Sequence, residues 1–301
     1  MRAFRSAVVL GLALLSSAAS ATSAQAAPDL PVLVDVRAAH HPGVDRLIFE
    51  FEGPLPEYAA AAWTNRVIHD PSGLPVPVQG NAYLSVVMYS VIAHETDPGF
   101  GSTYGPRQRA FDLPNIAHVV AAGDFEAVVS FGVGLMQRTR ILRTARLRDP
   151  SRFVVDVSTR FERERVGVMF LDRDAILAGT PPFLRSVSRT VPRSRPRLGE
   201  ADAALLRLWA GPTQEEKRDG LRFRASATTG FRGLHVNPRG VARLMLKGGC
   251  DGHGAELTVA DQVMATLAQF GRIEWVKIYD RQGQTQQPLG QSDSIPDCLA
   301  S

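Results

Sequence analysis

Apolar and polar positions alternate through the first half of the chain. Val32–Val36 and Leu47–Phe51 do so on either side of a His41-Pro42-Gly43 turn signal. Leu84–Ile92, Ile116–Ala121, Glu126–Val133, Ile141–Leu147 and Phe153–Val157 are further strand patterns. Asp70-Pro71-Ser72-Gly73 places Pro second and Gly fourth, as a type I turn requires. Many short strands separated by turns predict an all-β sandwich or open barrel over residues 32–159. The one helical hint in this half is Glu57–Ala62.

From Val166 the pattern becomes mixed. Val166–Leu171 reads as a strand, and Glu200–Ala210 as a helix burying Leu205, Leu208 and Trp209. That helix stops at Gly211-Pro212. Thr213 then caps a new turn with Glu216 in capping-box register, and Gly220 ends it. Arg222–Ala225 and Leu234–Val236 read as strands, and Asn237-Pro238-Arg239-Gly240 turns the chain into Val241–Leu246. Thr258 and Asp261 open a helix with the stripe Val259, Val263, Leu267 and Phe270, and Glu274–Tyr279 returns as a strand. The second domain, residues 166–301, is therefore expected to be α+β with a small sheet and two helices. The joint Ser158–Arg165 is too short for a long tether, so the two domains should sit close together.

Composition adds a compartment. Arg2 and Arg5 precede an apolar run from Ala7 to Leu15, and small residues follow to Ala24-Gln25-Ala26. These are the three parts of a signal peptide, residues 1–26, cleaved after Ala26. The apolar run is too short to span a bilayer comfortably, and no later stretch reads as transmembrane. With no Cys near the cleavage point, a lipid anchor is not expected. The chain should be secreted and extracytoplasmic. Loss of the leader lowers the formal net charge from +4 to +2, which removes the case for a nucleic-acid partner. In an exported chain Cys250 and Cys298 are expected to form a disulfide, with two free thiols as the alternative.

Two resemblances follow. Tyr104-Gly105-Pro106-Arg107, Gly123-Asp124-Phe125-Glu126, Gly132-Val133-Gly134-Leu135 and Asp149-Pro150-Ser151-Arg152-Phe153-Val154-Val155-Asp156 together resemble the AMIN-like domain of bacterial envelope proteins, over Val32–Thr159. The second half resembles a GerMN (sporulation and spore-germination) domain. The matching residues are Leu205-Leu206, Gly211-Pro212-Thr213 with Glu216, Gly220-Leu221, Leu267-Ala268-Gln269-Phe270 and Val276-Lys277-Ile278. The first resemblance implies an all-β module tied to cell-wall or envelope targeting, without catalysis. Many relatives of the second are lipoproteins, and this chain departs from them in lacking the lipid-acceptor Cys.

The residues offer little chemistry of their own. Walker, nucleophile-elbow, His-Glu-x-x-His and Cys-x-x-Cys patterns are absent, and Gly132-Val133-Gly134 lacks the third glycine of a dinucleotide fingerprint. His40-His41 reads as a solvated pair. His94-Glu95 with Asp97 lie on one segment and point apart. No catalytic residue, metal or cofactor is expected. The loop Ala93–Pro114 is the candidate site, because unstructured connections of about 20 residues are uncommon in compact domains and often bind. Its Phe100 and Tyr104 suit sugar rings, and Arg107 and Arg109 suit carboxylate or phosphate. The competing reading is a loop pinned by its own aromatics, with the arginines in solvent. Arg185, Arg189, Arg193, Arg195 and Arg197 form a basic stripe, which reads as a strand edge guarded by charge. The expected function is non-catalytic binding of cell-wall peptidoglycan or an anionic wall polymer, with the GerMN module as scaffold. A protein–protein assembly factor of an envelope complex, or self-assembly, is the alternative, and a wall hydrolase is a third reading.

Overall fold

The computed structural model describes residues 30–95, 101–193 and 198–300. The expected signal peptide, Phe100, Asp97, Arg195 and Arg197 lie outside the described residues.

The first domain is a sandwich of two antiparallel sheets. Its strands are β1 (Val32–His41), β2 (Val44–Glu52), β3 (Tyr58–Thr64), β4 (Ala82–Tyr89), β5 (Gln108–Ala110), β6 (Ile116–Phe125), β7 (Val128–Leu135), β8 (Ile141–Leu147) and β9 (Ser151–Ser158). One sheet runs β1-β2-β9-β8 and the other β3-β4-β7-β6-β5. The predicted alternation sends Leu47, Phe49 and Phe51 of β2 inward against Leu84, Val86 and Met88 of β4. Phe49 sits 5.1 Å from Phe131 across the sandwich and 6.3 Å from Phe153 in its own sheet. Each such fully buried side chain stabilises the fold by about 1.5–3 kcal/mol.

Three expectations change in this domain. Glu57–Ala62 is not helical, because its alanines belong to the edge strand β3, paired from Tyr58↔Tyr89 to Thr64↔Tyr83. An isolated helix of that length is unstable in water, so the available ladder prevails over alanine's propensity. Glu126 and Ala127 have φ of 49° and 58° and form the β6–β7 hairpin turn, so that strand begins at Val128. Nor is Ala93–Pro114 structureless: it contains β5, and His94 bridges Ser102.

The second domain contains β10 (Arg163–Asp172), α1 (Arg173–Ala178), β11 (Leu184–Pro192), α2 (Leu198–Ala210), α3 (Gln214–Arg218), β12 (Leu221–Arg222), β13 (Thr228–Val236), β14 (Val241–Gly248), α4 (Val259–Leu267) and β15 (Trp275–Tyr279). It has two small sheets, β11-β10-β12 and β13-β14-β15, with β15 parallel to β14. The two expected helices are α2 and α4. The unforeseen α1 is capped by Asp172 and closed by left-handed Gly179, and it buries no residue, so it leaves no apolar stripe in the sequence. No helix among the described residues is long and apolar enough to cross a membrane.

Gly211, at φ +87°, ends α2, and Thr213 and Glu216 complete the capping box of α3. Glu216 has a second task. Both its oxygens accept from Arg189, at 2.7 and 2.5 Å, and Arg189 is buried over the ring of Phe170. Burial alone would raise the Glu216 carboxyl. Hydrogen bonding and charge from Arg189, with Thr213, outweigh it and hold the carboxyl below its ordinary value. Arg185 pairs with Asp172 and Arg193 with Glu164, so the described part of the basic stripe is neutralised.

The domains share a core. Ala117 and Met136 of the sandwich pack into the cluster built by Leu205, Leu208 and Trp209. Arg207 of α2 reaches across, only 1% exposed, and donates to Phe111 O at 2.7 Å and Leu113 O at 2.5 Å. A third bond goes to Thr190 O at 2.8 Å in its own domain. Burial pushes its guanidinium down to about 10, partly offset by Asp112, so it stays charged at neutral pH.

Cys250 and Cys298 form the disulfide, with Cα atoms 5.7 Å apart, and it ties the segment after β14 to the C-terminal turn. Closing a 48-residue separation stabilises the fold by about 4 kcal/mol on the chain-entropy account. Replacing both cysteines with alanine should lower the urea midpoint accordingly. An unchanged midpoint would show that the tail is held by its other contacts, such as Lys277 Nζ to Gln287 O at 2.6 Å.

Candidate functional site

Of the loop residues singled out from the sequence, the three that are described do not share one surface. Tyr104 is 6% exposed, edge-on to Phe131 at 5.3 Å, and belongs to the sandwich core. Its ring is therefore covered rather than offered to a ligand, and burial raises its hydroxyl pKa. Arg109 directs its donors inward, to the carbonyls of Val36 and Tyr104 and to Asp35, and so fastens the loop to β1. Arg107 is exposed. Phe100 lies outside the described residues. The physical reason for this split is packing: Tyr104 joins the sandwich core against Phe131, while Arg107 has no such contact to bury it.

The sandwich exposes aromatics elsewhere. Directly paired residues on neighbouring strands project to the same face of a sheet. The registers Tyr58↔Tyr89, Tyr89↔Val128 and Val128↔Phe125 therefore set four side chains in a row across β3, β4, β7 and β6. Leu84, Val86 and Met88 occupy the inner face of β4, so Tyr89 lies on the outer one. Tyr58, Tyr89 and Phe125 are 48%, 44% and 49% exposed. The two tyrosine rings stack at 5.2 Å. With strands about 4.8 Å apart, the row spans about 14 Å. Polar groups border it: Ser90 Oγ donates to Glu57 Oε2 at 2.9 Å, and Glu126 lies in the adjoining turn.

The row stands at one end of this face because a strap covers the other. Residues 67–79 cross β7 and β6, burying Val67 and Val78 against Val120 and Ala122. Gly132 and Gly134 permit that approach, since a Cβ on Gly134 would lie 1.9 Å from Gln79 O. Beneath the strap His118 is wholly buried. Its Nδ1 accepts from Gln79 N at 3.1 Å, and burial drives its pKa down to about 3, so it is neutral at physiological pH.

Chemically, the row offers flat apolar faces with hydroxyl and carboxylate groups at its margin, a surface suited to the C–H faces of sugar rings. The alternation of β4 was legible in the sequence, but nothing local distinguished the wet tyrosines from buried Tyr104. Among the described residues no cluster of three or more His, Cys, Asp or Glu side chains is placed to hold a metal. His40 pairs with Asp45 at 2.8 Å and His94 with Asp124 at 3.0 Å.

Comparison with known families agrees with the two-part architecture. The AMIN-like domain model matches residues 31–159, and the model described as sporulation and spore germination matches residues 168–286. No curated protein and no solved structure gives a significant match. The chain is thus an AMIN-like domain followed by a sporulation and spore germination domain, which places it among envelope- or sporulation-related proteins.

Proposed function

We propose that this is a non-catalytic, exported envelope protein that binds cell-wall glycan through the outer sheet face of its AMIN-like domain. The observation that carries the reading is the row of Tyr58, Tyr89 and Phe125, three half-exposed rings on one face. Exposed aromatic surface of this kind is unusual unless something covers it. The second domain, clamped by Arg207 and a shared core, acts in this reading as a rigid scaffold rather than a second flexible arm. The absence of nucleophile and phosphate-loop motifs from the sequence favours binding over catalysis.

Wild-type protein should co-sediment with purified peptidoglycan sacculi. Tyr58→Ala combined with Tyr89→Ala should weaken binding by about tenfold, since each ring contact contributes about 0.5–1.5 kcal/mol. Both residues are exposed, so the thermal midpoint should stay near that of the wild type. Wild type remaining wholly in the supernatant would end the wall-binding reading. Binding that survives the double substitution would move the site off this face.

A further inference from the structure

A second site lies where the strap meets the C-terminal domain, and it does not depend on the glycan reading. A cleft of about 340 Å³ opens between the strap and the strands β13 and β14. Gln79 spans it, donating from Nε2 to Thr229 O at 3.0 Å. Pro75, Pro77, Tyr83 and Phe231 supply apolar wall, and Arg66 and Lys247 supply charge. Among the described residues no carboxylate lines it.

The two cations are the informative feature. Both are exposed, and neither has an ion-pair partner among the described residues. Another cleft between the domains, about 540 Å³, also contains two arginines, but Arg37 and Arg109 there are matched by Asp35 and Glu50. Uncompensated positive charge beside the apolar walls of a cleft focuses the field on whatever enters. The volume falls at the lower end of the range for small-molecule sites. Arg66 offers a planar fork and Lys247 a point charge, a combination that suits phosphate or carboxylate oxygens.

From this we infer that the cleft binds a small organic anion. Its phosphate or carboxylate sits between Arg66 and Lys247, and its apolar body lies against Pro75, Pro77 and Phe231. Because Arg66 belongs to the first domain and Lys247 to the second, the bound anion links the two.

Isothermal titration with phenyl phosphate, benzoate and benzyl alcohol tests this, since the three share a ring and differ in charge. At least one anion should bind at millimolar concentration and the neutral alcohol should not. Whichever anion binds identifies the head group. Arg66→Glu and Lys247→Glu should each weaken binding by about tenfold, the loss expected for one charge-assisted contact. Thermal unfolding of both variants should match the wild type, because both side chains are exposed. The inference is overturned if neither anion binds, if the alcohol binds equally well, or if the charge-reversed variants retain full affinity.

Discussion

Arg207→Met is expected to lower stability by about 3 kcal/mol and to separate the unfolding of the two domains. Two effects oppose each other. Removing the guanidinium relieves the cost of burying a charge that, among the described residues, has no carboxylate in direct contact. It also strips the donors from Phe111 O, Leu113 O and Thr190 O, and an unsatisfied buried acceptor costs about 1–3 kcal/mol each. Three lost partners outweigh one relieved charge, so the net effect is destabilising. Two of the three carbonyls lie in the other domain, which is why the damage concentrates at the junction. Arg207→Lys keeps the charge but not the planar fork that reaches three acceptors, and should recover only part of the loss. Urea unfolding followed by far-UV dichroism and by tryptophan fluorescence provides the measurement. In the wild type the two probes should coincide, and in Arg207→Met they should diverge as the domains unfold separately. Coincident transitions with an unshifted midpoint would show that the shared core alone couples the domains.

Glu216→Ala is the second large effect, about 5 kcal/mol, because one side chain serves two structures. Its removal leaves Arg189 buried beside Phe170 without a counter-charge, and breaking a buried pair from one side costs about 3–5 kcal/mol. It also removes one half of the capping box of α3, a contribution of about 1 kcal/mol. Glu216→Gln separates the two. Glutamine can still accept the backbone bond of a capping box, so that variant loses mainly the ion pair. The wild-type pH dependence carries a matching signature. The folded carboxyl lies below its ordinary value, so the unfolded chain binds the proton more readily as pH falls. Its stabilisation is therefore complete above the unfolded carboxyl range and is lost as pH falls through the folded value. Urea midpoints measured from mildly acidic pH down through and below the ordinary carboxyl range should show that slope in the wild type and a flatter one in Glu216→Gln. An equal slope in both would assign the acid sensitivity to other groups.

What could be read without the fold was whatever the chain decides within a few residues of itself. The stop at Gly211-Pro212, the capping boxes at Thr213 and Thr258, and the turn at Asn237–Gly240 all depend on contacts three or four positions apart. The inward face of β2 and of β4 follows from strict alternation. Alternation identifies two faces but not what covers each, and there the sequence ran out. Tyr104 and Tyr89 are the same residue type at ordinary positions. One is buried because the loop folds over Phe131, and the other is wet because the strap stops short of it. The same limit explains Arg109, which looked available for a ligand until β1 came within reach of its donors. It also explains β3, whose alanines follow a partner 25 or so residues away rather than their own propensity. Arg189 with Glu216 lies 27 residues apart, Arg207 with Phe111 lies 96 apart, and Gln79 with Thr229 lies 150 apart. By itself the sequence determined the elements, their order and the two-domain plan, because short-range hydrogen bonding and periodicity are local. Only the tertiary structure decided which aromatics and which cations remain unpartnered, because that depends on which distant segments come to cover them.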